Sequence, residues 1–192
     1  MTVASAGGPV ADLALDLVAR LTAAGVTVAT AESLTGGLVV ARLVDCPGAS
    51  AVVRGGIVAY SSDVKASLVG VDAELLATGG AVQAEVAVQL AEGARRRFGA
   101  DWGIGTTGVA GPDPADGQPV GTVYVAVSGR DDSGRDEGRG DGPRSGVGNA
   151  VVHLALEGDR AAIRQGAVDA ALHLLSATLG KPHGRARVER VT

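Results

Sequence analysis

Apolar residues recur at helical spacing in three long segments of the chain. Residues 10–24 carry an apolar side chain at every third or fourth position, which predicts an amphipathic helix that ends at Gly25. The same spacing predicts helices over 83–98 and 160–179. Shorter helices are predicted at three further places: 35–44, 62–68 and 71–77.

Short runs of β-branched and small apolar residues lie between these helices. They predict five strands, over 26–31, 52–60, 101–106, 120–128 and 149–156. Gly55 and Gly56 interrupt the second strand and indicate a β-bulge. Strands alternate with helices in the first half, whereas the last two strands follow each other and can pair as an antiparallel hairpin. This order predicts an α/β fold, a three-layer α/β/α sandwich with a mixed, mostly parallel sheet.

Two polar segments lie outside this pattern. Residues 129–148 are rich in Gly, Asp and Arg, which predicts a mobile loop. Residues 181–192 predict a disordered polar tail. With 192 residues, 46% of them hydrophobic, the chain can bury one substantial core, so we expect residues 1–180 to form a single domain.

Composition and charge limit the classes of function. The net charge is −4 and no long basic run exists, which argues against nucleic acid as the main partner. The single Cys46 excludes an internal disulfide and fits a reducing compartment. Residues 1–8 lack the features of a signal peptide, and no apolar run is long enough for a bilayer, so we expect a cytoplasmic protein without membrane association. No metal is expected, because metal-ligand spacing is absent around His153, His173 and His183.

Ser33 lies between a predicted strand and a predicted helix, where α/β folds present side chains to ligands. The N–H groups at the start of that helix can hold a phosphate or stabilise an oxyanion, and Gly36 and Gly37 allow close backbone approach. Ser33 or Thr35 can equally act as an ordinary helix cap. Position alone therefore leaves both interpretations open.

Lys65 is unusual because the chain contains fifteen arginines and only one other lysine, Lys181. A serine hydroxyl needs a base to take its proton, and lysine can serve when burial lowers its pKa, whereas arginine cannot. Tyr60 lies five residues earlier, where its hydroxyl can contact the same site or simply pack at a strand end. The alternative for Lys65 is a solvated helix lysine.

Two further segments are candidates for ligand binding. The glycine-rich loop after the third predicted strand can place Thr107 and the backbone of Gly108 and Gly111 against a ligand, although it lacks the ending of a P-loop. Arg160 and Arg164 lie one helical turn apart, and paired guanidinium groups suit a phosphate. An ordinary wide turn and a solvated cationic face are the respective alternatives.

Taken together, these segments resemble the CinA C-terminal domain family. Six short stretches occur in the family's order within residues 8–180, namely 30–37, 56–65, 79–82, 107–112, 119–123 and 158–160. The resemblance implies an amidohydrolase that converts nicotinamide mononucleotide to nicotinate mononucleotide and ammonia. The family serine falls on Ser33 and the family lysine on Lys65, which implies that Lys65 deprotonates Ser33 and that an acyl-enzyme forms.

The resemblance also implies roles for the surrounding residues. Tyr60 and Thr107 are expected to orient the dyad or the substrate, and Arg160 to bind the substrate phosphate. Backbone N–H groups near Ser33 and Thr35 are expected to stabilise the oxyanion. We expect a small nucleotide substrate and no cofactor, and the exposed hairpin is compatible with a homo-oligomer.

The chain departs from the family pattern at two places near these residues. Leu34 stands where many relatives carry a small polar residue or a cysteine, and the loop 112–119 contains Pro114-Ala115-Asp116 in place of a glycine-rich run. Larger family members add an N-terminal domain linked to ADP-ribose pyrophosphatase activity, for which we expect no room here. Two alternatives stay open. One is a non-catalytic module that binds a nucleotide or a partner associated with competence or DNA damage, and the other is an amidohydrolase for a different amide.

Overall fold

A computed structural model describes residues 9–129 and 148–179, together with the backbone of residues 188–190. The helices in these ranges are α1 (Pro9–Ala24), α2 (Leu38–Val44), α3 (Ser62–Val64), α4 (Ala73–Gly79), α5 (Ala84–Phe98) and α6 (Arg160–Thr178). A 3₁₀ turn at Ala49–Ala51 and a π-helical turn at Lys65–Val69 accompany them. The strands are β1 (Val28–Glu32), β2 (Val53–Val58), β3 (Trp102–Gly108), β4 (Thr122–Gly129), β5 (Gly148–Ala155) and β6 (Val188–Arg190).

The described strands form one mixed sheet in the order β2-β1-β3-β4-β5-β6. β1 pairs in parallel with β2 on one side and β3 on the other. β4 runs antiparallel to both β3 and β5, and β6 is parallel to β5. The predicted mixed, mostly parallel sheet with a late hairpin is therefore confirmed. The pairing of β1 with β2 skips Arg54, which places the irregularity directly beside the bulge predicted at Gly55.

Helices cover both faces of the sheet, as the three-layer prediction requires. Side chains of α1, α2 and α6 meet those of β1, β3 and β4 in the larger core, which includes Leu17, Leu43, Ile104 and Leu172. A second core lies under α5 and the π-helical turn, and a smaller third cluster joins α5 to β4 and β5. There α5 approaches β3 very closely, since a Cβ at Gly103 or Gly105 of β3 would collide with a carbonyl oxygen of α5. This contact positions the segment just before α5 beside the end of β3.

The boundaries differ from the prediction mainly around the strand ends. α2 begins at Leu38 rather than at residue 35, because residues 33–37 form a turn. The helix predicted over 62–68 is divided into α3 and the π-helical turn. Residues 130–147, which contain most of the predicted mobile loop, lie outside the described residues, as does the predicted tail apart from 188–190. None of the described helices is both long and apolar enough to cross a membrane.

Candidate active site

Ser33 directly follows β1, whose five residues are all buried. Its backbone N–H donates to the carbonyl of Thr106 on the neighbouring strand β3 at 3.0 Å, and its own carbonyl accepts from the N–H of Gly36 at 3.0 Å. These bonds fix the Ser33 backbone at the carboxyl ends of two parallel strands. The residue is only 8% exposed, so its hydroxyl is largely shielded from solvent.

Lys65 reaches Ser33 from the start of the π-helical turn. Its Nζ donates to the Ser33 Oγ at 3.1 Å and to the carbonyl of Tyr60 at 2.8 Å, and the residue is 1% exposed. Burial lowers the pKa of Lys65, and the negative charge of Asp116 offsets part of this shift. The amine of Lys65 therefore loses its proton more readily than that of a solvated lysine, and a base for the Ser33 proton must be neutral.

A surface cavity of about 250 Å³ opens in front of this pair. Its walls come from the Ser33 turn, the segment after β2, the segment before α5, the loop after β3 and the first residue of α6. Six of the residues predicted to form the site contribute to these walls, namely Ser33, Tyr60, Lys65, Thr107, Gly108 and Arg160. The topology thus brings together segments that are far apart in the sequence.

Arg160 links two walls of the cavity. Its Nη2 donates to the hydroxyl of Tyr60 at 2.9 Å and its Nη1 to the carbonyl of Gly111 at 2.5 Å. Tyr60 is 59% exposed, and its carbonyl accepts from Lys65 while its hydroxyl accepts from Arg160. Tyr60 therefore connects the buried amine to the exposed guanidinium. Gly111 was expected to face a ligand, but it contributes a carbonyl to Arg160 and is not a cavity wall residue.

Thr107 and Asp116 both bind the segment before α5. The hydroxyl of Thr107 donates to the carbonyl of Ala81 at 2.7 Å, and the N–H of Ala81 donates to Oδ2 of Asp116 at 2.6 Å. Thr107 is buried, whereas Asp116 is exposed at the cavity wall. Both backbone groups of Ala81 are thus held, one from the end of β3 and the other from the loop that follows it.

The sequence matches one known protein family over most of its length. The sequence model described as the CinA C-terminal domain matches residues 10–179. This chain belongs to the CinA C-terminal domain family. The family membership inferred from the six short stretches is therefore confirmed.

Solved structures of CinA-type proteins share the whole fold. The competence/damage inducible protein CihA from Agrobacterium tumefaciens is 34% identical, with a TM-score of 0.76 over 94% of this chain and 100% of that chain. A CinA superfamily protein from Escherichia coli is 28% identical, with a TM-score of 0.76 over 93% of this chain and 94% of that one. These matches agree with the α/β architecture described above.

Curated relatives are more similar in sequence but much longer. A CinA-like protein of Frankia casuarinae is 47% identical over 149 residues, which are 78% of this chain and 31% of the relative. A putative competence-damage inducible protein of Desulforamulus reducens is 45% identical over 151 residues, 79% of this chain and 33% of the relative. This CinA domain thus spans about a third of the length of these relatives.

Glu32 is a site residue of this CinA domain that the sequence analysis missed. Its fully buried carboxylate accepts hydrogen bonds from the N–H groups of Gly37, Val39 and Val40 at 2.9, 3.0 and 2.9 Å, and from the Thr30 hydroxyl at 3.0 Å. The donors at the start of α2 are therefore occupied, and the expectation that they face a phosphate or an oxyanion is corrected. A glutamate at the end of an otherwise apolar strand was the available signal, since a buried carboxylate needs partners.

Arg164 holds the Ser33 turn rather than lining the cavity. Its Nε donates to the carbonyl of Leu34 and its Nη2 to the carbonyl of Thr35, both at 2.9 Å. Thr35 is fully buried, with its hydroxyl 2.8 Å from that of Thr106. Arg160 and Arg164 therefore do not act as a pair.

Gly36 and Gly37 likewise shape the turn and lie outside the cavity wall. Both have positive φ angles, 62° and 94°, which favour glycine. A Cβ at Gly36 would also lie 3.3 Å from the guanidinium of Arg164. The structure gives these glycines and the Thr35 side chain a role in building the turn, in place of the substrate contact that the sequence predicted.

Proposed function

We propose that this CinA domain is an amidohydrolase in which Ser33 is the nucleophile and Lys65 the general base. The observation that carries this proposal is the 3.1 Å contact between the Lys65 Nζ and the Ser33 Oγ at the wall of an open cavity. A buried lysine next to a serine hydroxyl fits a two-residue nucleophile and base. Among the described residues, no group of three or more His, Cys, Asp and Glu side chains is arranged to hold a metal ion.

The chemistry follows from the protons that this pair can exchange. Neutral Lys65 takes the Ser33 proton while Oγ attacks the carboxamide carbon, which gives a tetrahedral oxyanion. The Lys65 ammonium then protonates the amide nitrogen, ammonia leaves and an ester to Ser33 remains. Water, deprotonated by the neutral Lys65 amine, hydrolyses this ester, and the proton returns to the Ser33 Oγ as the carboxylate product departs.

Two backbone groups next to the nucleophile are candidates for stabilising the oxyanion. Within the described part of the chain, the N–H groups of Leu34 and Thr35 have no hydrogen-bond acceptor. The bond from Arg164 to the Leu34 carbonyl fixes the peptide group that carries the Thr35 N–H. The bond from the Gly36 N–H to the Ser33 carbonyl fixes the one that carries the Leu34 N–H. Preorganised donors of this kind lower the barrier of acyl transfer.

The polar wall residues support a substrate with an anionic group, and we propose nicotinamide mononucleotide. Arg160 uses one donor on Tyr60 and one on Gly111, and a guanidinium has five N–H donors in all. The remaining donors can bind a phosphate at the exposed end of the cavity. The carboxamide of the same molecule then lies toward Ser33.

The proposal is tested by incubating the purified protein with nicotinamide mononucleotide and measuring both ammonia and nicotinate mononucleotide. The Ser33→Ala variant is the matched control, because it removes only Oγ and leaves the backbone bonds of the turn in place. We expect equal amounts of the two products from the wild type and none from the variant. Tight nucleotide binding without turnover would instead indicate a binding module. Faster turnover of nicotinamide or its riboside would indicate a different amide as the substrate.

A further inference from the structure

Asp116 is a charged wall residue for which the proposed reaction has no use. It lies in a tight turn at the tip of the loop after β3, where Ala115 and Gln118 exchange backbone hydrogen bonds of 3.2 and 2.9 Å. Its own φ is 51°, an uncommon value for a residue other than glycine. The 2.6 Å bond from the N–H of Ala81 fixes Oδ2, whereas Oδ1 has no donor among the described residues. The carboxylate is thus anchored on one oxygen and free to bind on the other.

The cavity carries a negative and a positive side chain on different parts of its wall. Besides Lys65, the described wall residues with a carboxylate or guanidinium side chain are Asp116 and Arg160. Arg160 begins α6 and is bonded to Tyr60, whereas Asp116 lies on the loop after β3 and is bonded to Ala81, so the two charges come from different walls. Within the described residues Asp116 forms no ion pair. The negative charge of Asp116 also raises the pKa of Lys65, against the larger effect of burial.

We propose that Asp116 determines substrate specificity by attracting a cationic ring, while Arg160 takes the anionic group of the same molecule. This inference rests on the proposed amidohydrolase function and narrows its substrate class to carboxamides on a positively charged heteroaromatic ring that also carry a phosphate. A pyridinium nucleotide has both charges. An uncharged carboxamide of the same shape lacks the group that Asp116 recognises.

The competing explanation is that Asp116 serves only to hold its loop against the segment before α5. Asp116→Asn separates the two, because the amide oxygen can still accept from the N–H of Ala81. Asparagine also adopts a positive φ readily. The variant therefore keeps the loop contact and removes the charge alone.

The experiment compares two ligands by calorimetry in a Ser33→Ala background, where no turnover occurs. The ligands are nicotinamide mononucleotide and benzamide riboside monophosphate, whose neutral phenyl ring replaces the pyridinium. We expect Asp116→Asn to raise the Kd of the cationic ligand about fivefold, the upper range for an exposed ion pair. The Kd of the neutral ligand is expected to stay within twofold. Arg160→Ala is the matched comparison and should weaken both ligands alike, since both carry the phosphate.

Equal weakening of both ligands by Asp116→Asn would overturn the inference, because it would indicate a loop effect rather than recognition of charge. An unchanged Kd for the cationic ligand, or no binding of either ligand, would overturn it as well. Ammonia release by the protein with Ser33 intact is measured separately. If the protein releases ammonia but Asp116→Asn affects the cationic and neutral ligands equally, only this inference is refuted. If the protein releases no ammonia, the proposed function is refuted.

Discussion

Replacing Glu32 by glutamine removes one carboxylate oxygen from the turn that carries Ser33. Oε1 of Glu32 accepts from the Thr30 hydroxyl and the N–H of Val40, and Oε2 accepts from the N–H groups of Gly37 and Val39. The least costly arrangement of the glutamine puts its amide nitrogen in the Oε1 position. There the Thr30 hydroxyl can turn round and accept, but the N–H of Val40 loses its partner.

The size of the effect follows from these bonds. A buried donor left without an acceptor costs about 1–3 kcal/mol. The two bonds that remain to the amide oxygen lose their charge assistance, and such bonds are roughly twice as strong as neutral ones. We therefore expect Glu32→Gln to lower the free energy of unfolding by about 2–4 kcal/mol, a large share of the roughly 5–15 kcal/mol of a typical domain.

Urea unfolding followed by circular dichroism measures this loss. Glu85→Gln is the matched control, since it removes the same charge from an exposed position on α5 and should change the free energy by less than about 0.5 kcal/mol. Ammonia release should also fall in Glu32→Gln, because the turn that orients Ser33 loosens. A Glu32→Gln protein as stable as the control would show that the carboxylate does not hold the turn.

Two further predictions concern Lys65 and Arg164. Because burial lowers the pKa of Lys65 below its ordinary 10.5, the folded protein binds fewer protons than the unfolded chain between the lowered pKa and 10.5. Wild-type stability should therefore rise with pH across that window. Lys65→Met has no ammonium to bury, so its Tm should exceed that of the wild type most at neutral pH, and the difference should shrink toward pH 10.5. A Tm difference that does not change with pH would contradict this. Arg164→Ala removes two bonds to the Ser33 turn and should lower kcat about 10- to 100-fold with KM within twofold, whereas a raised KM at normal kcat would restore its predicted phosphate role.

Much of the fold could be predicted because its periodicities are local. The apolar spacing of α1, α5 and α6 places their buried residues against the sheet, and the order of strands distinguishes the parallel half from the hairpin. The contact between Ser33 and Lys65 is less local, since 32 positions separate them. The lysine was still recognisable, because it is a rare residue in an arginine-rich chain and follows the strand that pairs beside β1.

The rest of the site depends on which acceptors the long side chains reach in the folded protein. Helical spacing puts Arg160 and Arg164 on neighbouring positions, but one reaches Tyr60 and the other reaches the carbonyls of the Ser33 turn. A pattern of polar positions cannot distinguish these acceptors. The glutamate at the end of β1 indicates that its buried carboxylate has partners, but not which N–H groups they are. The helical spacing after Ser62 likewise does not distinguish an α-helix from the π-helical turn that begins at Lys65.

The most direct test of the account is the rate of ammonia release from nicotinamide mononucleotide by four proteins: wild type, Ser33→Ala, Lys65→Met and the double variant. If Ser33 and Lys65 act as one unit, each single variant should lose about 10³-fold or more in kcat. The double variant should then be no slower than either single one. Substantial activity in a folded single variant, or losses that multiply in the double variant, would contradict the assignment of Ser33 and Lys65 as a catalytic pair.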